Sequence, residues 1–248
     1  MALPSPKKGL ILETIQLPES GIQVKYHSMT ADDAKVFVML KDDVTFGDLL
    51  NNSINVLQNC TTGVDVNELT YIDLQYLFLK VRIASKGNVS ELNYICRNKD
   101  KDGKECGTKI QHQLDLDTIE PKAVEKDRIK SVKIPNTDIT VILKDIYVSD
   151  LQFLSDDNGR INPTNVLDAI CLSIDQIVEG DGDDAVVHSE FTPKELHKFV
   201  GGCETKVIEE INKNFVNKSS KMEHQINLTC PKCKHTEHEI LRGLINFF

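Results

Sequence analysis

Cys230-Pro231-Lys232-Cys233 puts two thiols on one tight turn, and Cys96 and Cys106 bracket a second turn earlier in this chain of 248 residues. A C-x-x-C turn suits metal ligation because its bent backbone presents amides toward the sulfurs and so favours the thiolate. Zinc takes four such ligands at about 2.3 Å, which sets the sulfurs about 3.7 Å apart and closes the coordination shell. Strand-like segments flank both pairs, Leu92-Asn93-Tyr94-Ile95 before Cys96 and Ile226-Asn227-Leu228-Thr229 before Cys230. Cys96, Cys106, Cys230 and Cys233 are therefore the expected ligands of one structural zinc ion, two knuckles meeting face to face. Nine residues separate Cys96 from Cys106, so the first knuckle carries an insertion over residues 97–105, while Gly107 stands where a knuckle glycine belongs.

Other chemistries fit these residues less well. A thioredoxin-like redox motif opens a helix after a strand, but residues 234–240 alternate polar and apolar and so predict another strand. Asn98-Lys99-Asp100-Lys101-Asp102-Gly103 matches the first half of a calcium loop, yet its twelfth position would be Lys109, where a bidentate glutamate is required. A solvated turn is the expectation there. His235 and His238 could replace a thiolate, but the four knuckle cysteines already suffice. Cys60 and Cys203 lack a close cysteine neighbour in sequence and read as plain buried thiols. No phosphate-cradling glycine loop, G-x-S-x-G elbow or H-E-x-x-H occurs, and no catalytic residue is assigned.

The elements that must position the cysteines repeat along the chain. A shift of 117 residues sets Leu17-Pro18 against Ile134-Pro135, Val24 against Val141, Thr45 against Asn162, Leu49-Leu50 against Val166-Leu167 and Leu57 against Ile174, without a gap. Each half then predicts a hairpin, around Pro18-Glu19-Ser20-Gly21 and Pro135-Asn136-Thr137-Asp138. A helix follows, capped by Thr45, with Phe46, Leu49, Leu50, Ile54 and Leu57 inward. Its counterpart opens at Asn162 and Pro163, with Val166, Leu167, Ile170, Cys171, Ile174 and Ile177 inward. Beyond this point the shift grows to 127, with Leu69 against Leu196, and the extra residues fall in the acidic loop that begins Glu179-Gly180-Asp181. A further helix is expected over residues 67–83 and over 192–215, the second broken at Gly201-Gly202. Each half ends in its cysteine knuckle. The expected fold is α+β, a tandem pseudo-twofold duplication joined by a zinc ribbon, with residues 1–120 as the first repeat and 121–248 as the second.

Composition bounds the rest. Lysine and arginine number 29 against 38 acidic residues, for a net charge of −9, which disfavours nucleic acid as a partner. Lys122, Lys126, Arg128, Lys130 and Lys133 form a small basic segment that reads as a solvated linker, since Glu120, Glu125 and Asp127 interrupt it. No apolar run approaches 18 residues and the first residues lack a signal peptide's apolar stretch, so no membrane partner is expected and the cytoplasm is the default location.

The opening Leu17-Pro18-Glu19-Ser20-Gly21, the Tyr94-Ile95-Cys96 and Cys106-Gly107 knuckle, Cys230-Pro231-Lys232-Cys233 and the closing Leu241-Arg242-Gly243-Leu244-Ile245-Asn246-Phe247-Phe248 occur in that order. Together they resemble the baseplate hub assembly proteins of T-even-type contractile-tail bacteriophages, over nearly the whole chain. The resemblance implies a late, non-enzymatic viral protein in the host cytoplasm that helps assemble the baseplate hub as a chaperone or scaffold. It implies hub proteins and the tape-measure protein as partners. Retention as a stoichiometric component of the virion baseplate, and a nucleic-acid-binding zinc ribbon, are the alternatives. Phe247 and Phe248 would each forgo roughly 2–3 kcal/mol in water, so they are expected to dock on the chain's own core or in a hub partner.

Overall fold

Leu17 and Gly21 close the first turn, the Leu17 amide donating to the Ile22 carbonyl at 2.8 Å and Gly21 adopting φ 70°. Around it lie β1 (Glu13–Gln16) and β2 (Gln23–Tyr26). The computed structural model describes residues 9–38, 45–154 and 166–243. After α1 (Ala31–Val38), α2 (Phe46–Cys60) starts as predicted at Thr45, whose hydroxyl accepts from the Asp48 amide while the Asp48 carboxylate accepts from the Thr45 amide. This reciprocal box satisfies two amides that a helix start leaves orphaned. The helix buries Leu49, Leu50 and Leu57. The chain then returns through β3 (Thr61–Thr62) to the free side of β2, giving the order β1-β2-β3.

The helix α3 (Tyr71–Lys86) starts later than the pattern suggested, since residues 66–68 form a 3-10 turn and Thr70 is the N-cap. Nearly every side of it is covered. Leu74, Leu77, Phe78 and Val81 join a first core with Leu17, Val24, Leu50 and Leu57. Tyr76 and Leu79 instead join a second core, built from the hairpin β4 (Val89–Ile95) and β5 (Lys109–Asp115) and the hairpin β10 (Glu223–Thr229) and β11 (Thr236–Arg242). Ile110, Leu114, Ile226, Leu228 and Leu241 meet there. The two knuckle hairpins, far apart in the chain, therefore share one apolar interior.

A third core lies between them in sequence. Its sheet runs β6 (Ser131–Lys133), β7 (Ile139–Leu143), β8 (Ile174–Glu179) and β9 (Val186–His188), in that order, all antiparallel. The helices α4 (Val166–Leu172), α5 (Pro193–Gly202) and α6 (Thr205–Asn214) supply Ile170, Cys171, Leu196, Val200, Val207 and Ile211 to it. The break after Gly202 falls where expected, and Cys171 is buried in the core as predicted.

Two expectations fail here. The helix predicted through Ile177 ends at Leu172, and Ile174 and Ile177 are strand residues. Leu143 pairs with Ile174 but Ile142 with Gln176, so Asp175 is an extra residue, a bulge. That bulge lets residues three apart both face inward, which imitates helical spacing. Val166 and Leu167, expected inward, are 47% and 37% exposed. The shift of 117 thus sets helical residues 57–60 against strand residues 174–177. Asn162 and Pro163 lie outside the described residues, as do Phe247 and Phe248.

In the basic segment Lys122, Lys126, Lys130 and Lys133 are exposed as expected, but Arg128 and the backbone are tied down. The Arg128 guanidinium, whose side chain is 12% exposed, meets Asp145 at 2.6 Å and stacks over the Phe215 ring at 4.5 Å. Lys122 exchanges backbone bonds with Lys221 at 2.8 and 3.1 Å, tying the segment to the approach to β10. Among the described residues, no helix is long and apolar enough to cross a membrane.

Candidate metal centre

Each knuckle is built in the turn that joins the two strands of a hairpin. In the first, the Cys96 amide donates to the Thr108 carbonyl at 2.9 Å and the Gly107 amide donates back to the Cys96 carbonyl at 3.0 Å. In the second, the Cys230 amide donates to the His235 carbonyl at 2.8 Å and the Lys234 amide to the Cys230 carbonyl at 3.0 Å. The residue after the second cysteine is left-handed in both turns, Gly107 at φ 64° and Lys234 at φ 61°. The insertion leaves this geometry intact because it folds on itself. The Asp100 carboxylate accepts from the Asp102 and Lys104 amides, both at 3.0 Å, and the Cys106 amide donates to the Asn98 carbonyl at 2.8 Å. That carboxylate caps a tight, exposed turn, where a solvated turn was expected.

The packing of β4–β5 against β10–β11 brings the two turns together. The sulfurs of Cys96 and Cys233 lie 3.7 Å apart and those of Cys106 and Cys230 3.8 Å apart, and all four lie within 4.8 Å of one another. Bonds of about 2.3 Å in a tetrahedron demand edges of about 3.8 Å. The donor set and spacing fit zinc, and both of these approaches cross from one knuckle to the other. Cys96 and Cys230 are buried, Cys106 is partly covered and Cys233 is exposed. Neither His235 nor His238 joins the cluster.

The electrostatics differ from thiol to thiol. Backbone amides of Cys233 and Lys232 aim at the Cys230 sulfur and, helped by the neighbouring thiols, hold its pKa near 6. The Asn98 amide does the same for Cys96, but burial and the three other sulfurs outweigh it and push that thiol up to about 12. The Thr108 hydroxyl, 3.2 Å from the Cys106 sulfur, and its amide lower Cys106. Four thiolates this close repel one another, so protons redistribute among them unless a divalent cation takes their place. Sequence reasoning missed two neighbours, Thr108 and Asn98, whose side-chain amide lies 3.7 Å from the Cys233 sulfur. Both sit on backbone that the insertion and the Gly107 turn fold back, and no local motif marks them.

The outcome is a mixed α+β protein with several small antiparallel sheets and a four-cysteine cluster, a possible metal site, between two hairpins. The chain belongs to the T4 bacteriophage base plate protein family, whose sequence profile matches residues 11–248. No curated protein and no solved structure matches the chain.

Proposed function

We propose that this baseplate-family protein is a non-enzymatic assembly factor for the baseplate hub. In this reading two repeats, residues 1–120 and 121–248, are clamped by one structural zinc ion on Cys96, Cys106, Cys230 and Cys233. The observation that carries it is the pair of facing knuckles with sulfurs at tetrahedral spacing, in a chain of the baseplate family. Four thiolates fill the zinc shell and leave no position for an activated water, so the metal holds hairpins together and does no chemistry on a substrate. Duplication draws support from element order. Each half runs hairpin, helix, a strand that pairs back onto the hairpin, helix and knuckle hairpin; the first half adds α1 ahead of α2, and the second adds β9 and divides its last helical stretch into α5 and α6. Hub proteins and the tape-measure protein are the partners, met in the host cytoplasm during assembly.

The test has two readouts. Metal analysis of the purified chain should return one zinc per chain, lost in Cys230→Ser. Co-expression with tail proteins should recover the chain bound to hub or tape-measure protein, and finished particles should lack it. A stoichiometric amount in purified virions would make it a structural component of the hub instead.

A further inference from the structure

The four-stranded sheet ends on β9, and among the described residues no strand pairs with its outer edge. Its register sets Val186 opposite Glu179, Val187 opposite Val178 and His188 opposite Ile177. Side chains alternate along a strand, so Val186 and His188 share one face and Val187 lies on the other. Val186 and Val187 are 54% and 53% exposed. Proteins usually blunt such an edge by shortness, lysine, proline or a bulge; β9 is only three residues long, but Val186-Val187-His188 carries no lysine, proline or bulge.

Beside this edge a groove of about 330 Å³ opens between the sheet and α5. Ile139, Ile177, Phe191, Leu196 and Phe199 form its floor, and Glu179, Glu190, Glu195 and His188 its rim. No lysine or arginine lines it among the described residues. Glu195 is ionised at neutral pH, since the Thr192 hydroxyl and amide hold its carboxyl below the ordinary range. The β8–β9 turn adds Asp181, Asp183 and Asp184, of which Asp181 is met by Lys133 at 3.8 Å.

We propose that the β9 edge is a strand-addition site for an extended basic segment of another protein, its lysine or arginine side chains laid into the glutamate-rimmed groove. A strand added to a free edge is held by backbone hydrogen bonds and selected through alternate side chains. On one face those side chains fall beside Val186 and His188, at the groove. An apolar floor with a carboxylate rim suits a side chain that has an aliphatic stem and a cationic head. On the other face, apolar side chains cover Val187. Complementary charge steers encounter and rejects acidic segments. The inference rests on the chain working by binding other proteins, and adds to that reading the site and the partner's chemistry.

Fluorescence anisotropy tests it on the full chain, with labelled seven-residue peptides that alternate valine with lysine or valine with glutamate. The lysine peptide should bind about tenfold or more tightly than the glutamate peptide. Glu190→Lys should weaken it about tenfold. Val187→Asp should weaken it as well, although that change adds negative charge and would strengthen any nonspecific attraction. Unchanged zinc content and far-UV circular dichroism certify the fold of both variants. Equal binding of the two peptides, no binding of the lysine peptide, or binding unmoved in both variants overturns the proposal. Self-association of the chain that Val187→Asp abolishes would assign the edge to a second copy and overturn it too. Co-purification with tail proteins reports separately on the assembly role, so failure of one leaves the other distinguishable.

Discussion

Lys234 carries a strain that its counterpart Gly107 avoids. Both follow the second cysteine of a knuckle with φ near 60°, and a side chain with a Cβ loses roughly 1–2 kcal/mol in that conformation. Part of this is returned by the greater freedom of glycine in the unfolded chain. Lys234→Gly should therefore stabilise the protein by about 0.5–1 kcal/mol and Gly107→Ala should destabilise it by a similar amount, both read as shifts of thermal midpoint. Glu19 gives a pH-dependent case. Burial first, then the nearby Asp145 carboxylate, raises its pKa above the ordinary 4.5, against hydrogen bonds from Ser220 and Thr70. A raised folded-state value means that the folded chain holds the proton more tightly than the unfolded one. Stability is thus lost as pH rises from the ordinary value through the raised one. Glu19→Gln should raise the urea midpoint at pH 7 and give no gain at pH 4.

At the scale of elements, Asp73 joins the first hairpin to α3. It is fully buried at the third position of the helix, and its two carboxylate oxygens accept from the Glu19 and Ser20 amides, each at 2.9 Å. Charge-assisted bonds of this kind contribute about 1.5–3 kcal/mol each, and their loss strands two amides. Asp73→Ala should destabilise by about 3 kcal/mol in urea denaturation. A loss below about 1 kcal/mol would mean that the turn holds its place without the helix. The region around α4 shows where pattern reading stops. Val166, Leu167, Ile170, Cys171, Ile174 and Ile177 have helical spacing, yet the chain changes to a strand after Leu172. Pairing with β7 and burial of Ile174 and Ile177 decide that, and neither is local.

For the whole molecule, one knuckle hairpin lies mid-chain and the other near the last residues, yet they share one core with α3. Metal binding free energy is folding free energy where the site exists only in the folded state. On the proposed zinc site, chelation should therefore cost hydrogen-exchange protection in β4–β5 and β10–β11 together, while the sheet β6–β9, with a separate core, keeps its protection. Loss confined to β10–β11 would contradict a shared ligand set. Contacts outside the sulfurs also bind the halves: the Tyr71 amide donates to the Ile146 carbonyl at 2.8 Å, and the Val148 amide to the Leu69 carbonyl at 2.9 Å.

The two cysteine turns were legible in the sequence because a cysteine knuckle is a local object. Residue type, spacing and flanking strands specify it, and its chemistry follows from thiolates and turn amides. The hairpins at Pro18 and Pro135 and the Thr45 cap were legible for the same reason, as was the helix break at Gly201-Gly202. Only the tertiary structure decided that Cys96 faces Cys233 and Cys106 faces Cys230, since 137 and 124 residues separate those partners. It also turned Arg128 from a linker charge into a largely covered partner of Asp145, and residues 174–177 from helix into strand. Each of these depends on what lies opposite in space, through burial, pairing or desolvation, and a period of apolar residues carries no record of its partner.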